Sequence, residues 1–118
     1  MDTPGLNWLE AREACKDLGA DLAVPNSADQ ARVIRSLTEK SFVYLGIVRD
    51  NNDKDSFVNI DGFPLEWTNW APGEPNNFGI ENCIEMDISR NDKWNDLGCS
   101  YIKFRSAAAC LLKLRGKL

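Results

Sequence analysis

The chain has no histidine and no C-x-x-C pair, which leaves a structural or catalytic zinc site almost no material. There is no G-x-S-x-G elbow and no glycine-rich phosphate loop, so the commonest hydrolase and nucleotide-binding signatures are excluded. No apolar run approaches the roughly 20 residues that a membrane span needs, and no membrane insertion is expected. Basic side chains are too few and too scattered for a nucleic-acid partner: 14 against 18 acidic ones, a net charge of −4 and no basic run. Nucleic-acid affinity comes from Lys and Arg neutralising phosphates. Repeats, linker stretches, collagen-like triplets and heptads are also missing. The opening Met1-Asp2-Thr3-Pro4-Gly5 has neither the basic nor the apolar part of a secretory signal, and the expectation is a secreted domain whose signal has been removed.

What is present fits one domain over residues 1–118. Hydrophobic content of 43% and charged content of 27% are ordinary for a globular chain. The four cysteines are Cys15, Cys83, Cys99 and Cys110. An even count in a small domain points to disulfides and an oxidising, extracellular compartment. Four cysteines allow three connectivities, and spacing alone leaves all three open.

The pattern predicts an α+β fold. Asn7 to Leu18 reads as a helix, with Asn7 and Glu10 as a near capping box, Ala11, Ala14, Cys15 and Leu18 on one face, and Gly19 as the stop. Leu22 to Val24 is a short buried strand ended by Pro25. Ser27 to Lys40 is a second helix, capped by Ser27 and Gln30, with Ala31, Ile34 and Leu37 as its apolar stripe. Phe42 to Ile47 is continuously apolar and therefore a central strand. Arg49 to Ser56 reads as a loop, Phe57 to Ile60 as a strand, Asp61-Gly62 as a turn. Trp67 and Trp70 are expected as core fillers beneath a long aperiodic loop, Asn69 to Asn82. Loops of that length in a compact domain are usually functional or disordered. Cys83 to Ile88 is a strand, Asn91-Asp92 a turn, and Ala107 to Leu112 closes the sheet.

The chemistry concentrates between Glu74 and Asp96. Glu74, Asn76, Glu81, Asn95 and Asp96 supply three carboxylates and two amide carbonyls with no competing soft ligand. Calcium takes six to eight such oxygens at about 2.3–2.6 Å. Pro75 lies between two ligand candidates, at the one kind of bond where a cis peptide costs only about 0.5–1 kcal/mol. An EF-hand at Asp50 to Ser56 is excluded, because Lys54 takes a ligand position and the required glycine is absent.

These residues carry a resemblance. Glu74-Pro75-Asn76, then Glu81 two residues before Cys83, then Trp94-Asn95-Asp96, ordered around four matching cysteines, resemble the C-type lectin carbohydrate-recognition domain from Trp8 to Cys110. The resemblance implies the C-type lectin fold: two helices flanking small antiparallel sheets, a long calcium-binding loop, and the disulfides Cys15–Cys110 and Cys83–Cys99. It implies that the family's first strand is missing here or replaced by residues 1–6. It implies Ca2+ as cofactor, held by Glu74, Asn76, Glu81, Asn95 and Asp96, and a sugar bound directly to the ion and to the same five side chains. Acid before amide in Glu74 and Asn76 goes, in the family, with mannose, N-acetylglucosamine and fucose. The partners implied are therefore glycans bearing terminal mannose-type sugars, and an oligomer would suit such weak single sites.

The resemblance also implies an auxiliary calcium site matched by Asp50, Asn77 and Asn82, with Glu81 shared. Lys54 stands there in place of a usual Glu and Asn82 in place of a usual Asp, with Asp53 or Asp55 as substitute carboxylates. Lys103, beside Phe104, matches a position that contacts the flank of the sugar in some members. Two other functions compete. One is a lectin-like domain that binds a protein, mineral or ice surface without sugar; relatives of that kind usually lose ligand residues, and all five are present here. The other is an enzyme using Glu74 and Glu81 as a glycosidase pair. Both glutamates are claimed as ion ligands and neither would be free to carry a proton, so no enzyme is expected.

Overall fold

The computed structural model describes residues 6–53, 56–75, 82–101 and 106–112, the side chain of Leu112 excepted. Helix α1 spans Trp8–Asp17 and opens on a complete capping box. Asn7 Oδ1 accepts from the Glu10 amide at 2.8 Å, and Glu10 Oε1 accepts from the Asn7 amide at 3.1 Å. Trp8, Ala11 and Cys15 face the core. Trp8 Nε1 donates to the Leu45 carbonyl at 2.7 Å, which ties the helix to the central strand. Leu18, expected on the buried stripe, is exposed. It is the C-cap, with φ −95° and ψ 6°, so its side chain leaves the helical register. Gly19 follows at φ 76°, a left-handed conformation that glycine adopts at no steric cost.

That turn sends the chain straight into β1, Ala20–Leu22, two residues earlier than the pattern suggested. The register with β7, Cys110–Leu112, sets the position: Ala20 pairs with Leu112 and Leu22 with Cys110, antiparallel. Helix α2 covers Ala28–Arg35 and stops well short of Lys40. Ser36 ends it, its hydroxyl donating to the Val33 carbonyl at 2.6 Å. Ala31 and Ile34 are buried, whereas Leu37 lies beyond the helix and is exposed. At the front, Ser27 Oγ accepts from the Gln30 amide at 3.1 Å, while Gln30 reaches back to the Asn26 amide at 2.6 Å.

Strand β2, Phe42–Arg49, is the hub. It pairs with β3 (Phe57–Asn59) and β4 (Cys83–Asp87) antiparallel and with β6 (Ser106–Ala108) parallel. Strand β5, Lys93–Leu97, adds antiparallel to β4, giving the order β3-β2-β4-β5. β2 runs two residues past its expected end, so Arg49 belongs to the sheet and not to the loop. At Gly46 a Cβ would lie 2.5 Å from the Leu22 carbonyl oxygen, so only glycine lets β1 approach β2 this closely. A 3-10 turn at Ile88–Arg90 leads to Asn91 and Asp92, at φ 58° and 64°, before β5 begins. Asn and Asp tolerate that region better than most side chains.

Both disulfides are those implied by the resemblance. Cys15–Cys110 joins α1 to β7 with Cα atoms 5.3 Å apart, and Cys83–Cys99 joins the start of β4 to the chain just after β5 at 5.2 Å. One core cluster gathers Val43, Leu45, Ile47, Ile84, Met86 and Trp94, and a second surrounds Trp8, Cys15, Leu22 and Tyr44. This is the architecture that the resemblance implied, with two helices, mainly antiparallel sheets and two disulfides. Among the described residues, no helix is long and apolar enough to cross a membrane.

Candidate functional site: the β5 end and the loop before β4

The strand that carries Asn95 and Asp96 is braced by aromatic packing and backbone bonds. Trp94 is fully buried, with Trp67 edge-on at 5.6 Å and Trp70 at 5.4 Å between ring centroids; Trp70 also meets Phe57 at 5.1 Å. These tryptophans are packing groups, as their positions in the sequence suggested. The backbone continues the connection. The Trp94 amide donates to the Asn69 carbonyl at 2.8 Å, and the Ala71 amide donates to the Trp94 carbonyl at 2.9 Å. Lys93 Nζ donates to Asn69 Oδ1, and Asn69 Nδ2 to the Asp92 carbonyl, both at 3.0 Å. The segment leading to Glu74 is thus fastened along the strand that presents the other ligand candidates.

Glu74 is half-buried, with its Oε1 withdrawn from solvent, and its amide donates to the Ala71 carbonyl at 3.0 Å. The Glu74–Pro75 bond is cis. Asn76 and Glu81, the next two ligand candidates, lie outside the described residues, as do Asn77, Asp55, Lys103 and Phe104. Asn95 and Asp96 are neighbours on β5 and so point to opposite faces. Asn95 is partly exposed, and its Nδ2 donates to Glu85 Oε2 at 2.5 Å. Because Glu85 takes the amide nitrogen, the amide's carbonyl oxygen is turned away from that carboxylate. Asp96 is buried, and its Oδ2 meets Arg49 Nη2 at 3.2 Å.

Among the auxiliary candidates, Asp50 and Asn82 line one cavity of about 410 Å³ together with Arg49. Asn82 Oδ1 accepts from Arg49 Nε at 3.0 Å. Asp50 Oδ1 accepts from the Asn52 amide at 2.9 Å, and Asp53 Oδ2 from the Ser56 hydroxyl at 2.9 Å. Asp50 and Asp53 therefore make local hydrogen bonds to the loop's own amide and hydroxyl groups. Among the described residues, no three His, Cys, Asp or Glu side chains gather into a group that could hold a metal ion.

Two residues near the candidate ligands were not singled out from the sequence. Glu85 is fully buried in β4 and stands directly opposite Asn95 in the ladder. Its signal was a carboxylate flanked by the apolar Ile84 and Met86, placed by counting back across the Asn91-Asp92 turn. Arg49 is also buried, and its signal was a single cation closing an apolar strand. A third group, outside the site, is electrostatically strained. Burial of Asp92 raises its carboxyl above the ordinary value of 3.8, with Arg35 and then Arg32 pulling it back down.

A sequence profile of the Lectin C-type domain matches residues 5–108. CD209 antigen-like protein 2 of Macaca mulatta is 35% identical over 113 residues, covering 88% of this chain and 43% of that protein. The chain thus spans less than half the length of that relative. Among solved structures, the cow C-type carbohydrate-recognition domain of CD23, crystallised in the presence of a GlcNAc2Man3 oligosaccharide, superposes with a TM-score of 0.78. It is 27% identical, and the match covers 96% of this chain and 85% of that one. A Ca2+-dependent type II antifreeze protein in its Ca2+-free form superposes with a TM-score of 0.79 at 26% identity, covering 92% and 86%.

Proposed function

Because the chain belongs to the C-type lectin domain family, whose members are binding domains and not enzymes, we propose that it is a calcium-dependent carbohydrate-recognition module of mannose type. The observation that carries the reading is the bonding of Asn69 and Ala71 to Trp94, which runs the Glu74-Pro75 segment alongside the strand presenting Asn95 and Asp96. The donor set fits a hard cation: the candidates are carboxylates and amides only, Glu74 Oε1 is withdrawn from water, and Glu85 takes the Asn95 amide nitrogen, leaving that amide's carbonyl oxygen turned away from the carboxylate. Glu74, Asn76, Glu81, Asn95 and Asp96 are the residues that would hold calcium. When bound, the ion supplies coordination positions for two vicinal hydroxyls of a pyranose.

The side chains supply the selectivity. At each hydroxyl a carboxylate accepts the proton and an amide N–H donates to the oxygen. Glu74 with Asn76 serves one hydroxyl and Glu81 with Asn95 the other. Asn95 has two amide hydrogens, so one remains for the sugar while Glu85 holds its partner. The likeness to the CD23 domain crystallised in the presence of a GlcNAc2Man3 oligosaccharide supports a glycan ligand. The two disulfides suit an extracellular setting. One such site binds weakly, so useful avidity would come from several copies held together.

The test is retention on mannose–agarose in calcium and release by EDTA, with Glu74→Gln and Asn76→Asp made together. The double change is expected to reverse the preference from mannose to galactose. If mannose stays preferred, the donor and acceptor assignment is wrong.

The likeness to a Ca2+-dependent antifreeze protein favours one second reading, a surface-binding domain that ignores sugar. That reading requires mannose not to compete with the bound partner.

A further inference from the structure

Arg49 is an unusual place for a cation. Its side chain is 5% exposed and sits at the end of β2, among residues matched to calcium ligands. Four contacts with described residues hold it. Nε donates to Asn82 Oδ1 at 3.0 Å, and Nη2 donates to Asp96 Oδ2 at 3.2 Å. The guanidinium carbon lies 4.5 Å from the centre of the Phe57 ring, and the Arg49 amide donates to the Asn82 carbonyl at 2.9 Å. One side chain thereby joins β2, β3, β5 and the residue that follows the Glu74–Glu81 loop.

Chemically this is what a second divalent ion would do. A buried carboxylate needs a counter-charge, and the Asp96 side chain is 0% exposed. Asn82 stands where the family usually has an auxiliary acidic ligand, and its carbonyl oxygen, the atom a metal would take, accepts from a guanidinium. Arginine keeps its charge at any accessible pH and presents a rigid planar fork, so it can orient two acceptors at once.

We propose that Arg49 is a positioning residue that replaces the auxiliary calcium ion: a fixed cation holding Asn82 and Asp96 in place, so that the chain takes one calcium and not two. The proposal rests on the calcium-dependent reading above. It gives Lys54 a consistent place, since a lost carboxylate at that position has no ion left to serve.

The experiment counts calcium per chain by native mass spectrometry. It also follows thermal unfolding in EDTA and across a calcium titration for the wild type, Arg49→Met and Arg49→Lys. The wild type should carry one ion. Arg49→Met should melt on the order of 10 °C lower in EDTA, because a buried ion pair has lost one partner. Its calcium-induced rise in Tm should be at least twice that of the wild type, because a metal can supply the missing charge beside Asp96. Arg49→Lys, which keeps the charge without the fork, should fall between the two and covers the case in which Arg49→Met fails to fold. Two ions on the wild type would overturn the proposal and leave the sugar-binding reading intact. An equal calcium-induced rise in all three proteins would also overturn it, since an arginine with a purely structural role would lower every curve alike. No ion at all would take down the calcium-dependent reading and this inference with it.

Discussion

Two arginine–aspartate pairs sit in different parts of the molecule, and they are built differently. Arg12 meets Asp21 of β1 through two parallel bonds, Nε to Oδ1 at 3.0 Å and Nη2 to Oδ2 at 3.2 Å, with the arginine side chain 29% exposed. Among the described residues, Arg49 gives one bond to Asp96 and one to Asn82, lies over a phenyl ring, and is almost wholly covered. The first pair is local: one fork closes on one carboxylate, whose Oδ1 also accepts from the Leu22 amide at 2.9 Å, near a disulfide-stapled end where β1 and β7 meet. The second distributes its charge over groups from several segments. The first form ties together two segments at one end of the fold; the second, on the inference above, would hold two acceptors, Asn82 and Asp96, that belong to the proposed site.

The largest expected effect comes from breaking the distributed pair on its acidic side. Asp96→Asn leaves a buried guanidinium without its anion and should cost about 3–5 kcal/mol in urea unfolding. It should also abolish the calcium-induced stabilisation. The same change in the local pair is the control. Asp21→Asn should cost about 1–3 kcal/mol, since Arg12 can turn toward water, and it should leave the calcium response unchanged. If both variants lose the calcium response, the contrast between the two pairs is not real.

The smallest effect concerns Asp92, a carboxylate that a partly screened arginine, 3.6 Å away, does not fully compensate. Its folded value is raised by burial, so its contribution is fully present below the ordinary 3.8 and is lost as pH rises through the raised value. Asp92→Asn keeps the tolerance for φ 64° and removes the charge. It should raise Tm at pH 7 by roughly 2 °C or less, with the gain vanishing near pH 3. A variant that melts lower than the wild type at pH 7 would mean that the Arg35 contact outweighs the desolvation.

What could be read in advance follows a physical line. Local rules succeeded where local forces decide. Asn7 and Glu10 cap α1 as their spacing suggested, and the apolar run from Phe42 to Ile47 is the central strand. The disulfide pairing was legible through resemblance. The misplacements arise where a distant partner decides. β1 begins at Ala20 because β7, some ninety residues on, sets its register. Leu18 and Leu37 are exposed because each helix ends before the periodicity does. Arg49 read as the first residue of a polar loop, because its partner Asp96 arrives 47 residues later. Glu85 read as one polar position in a weakly alternating strand, since only the hairpin register places Asn95 opposite it.

The central claim is that acids and amides from the Glu74 loop and from β5 together hold an ion on which a sugar docks. Titration calorimetry of mannose into the calcium-loaded protein, repeated after EDTA treatment, tests it directly. Saturable binding that disappears with the chelator is the predicted result. Equal heats in both conditions, or none in either, would contradict it.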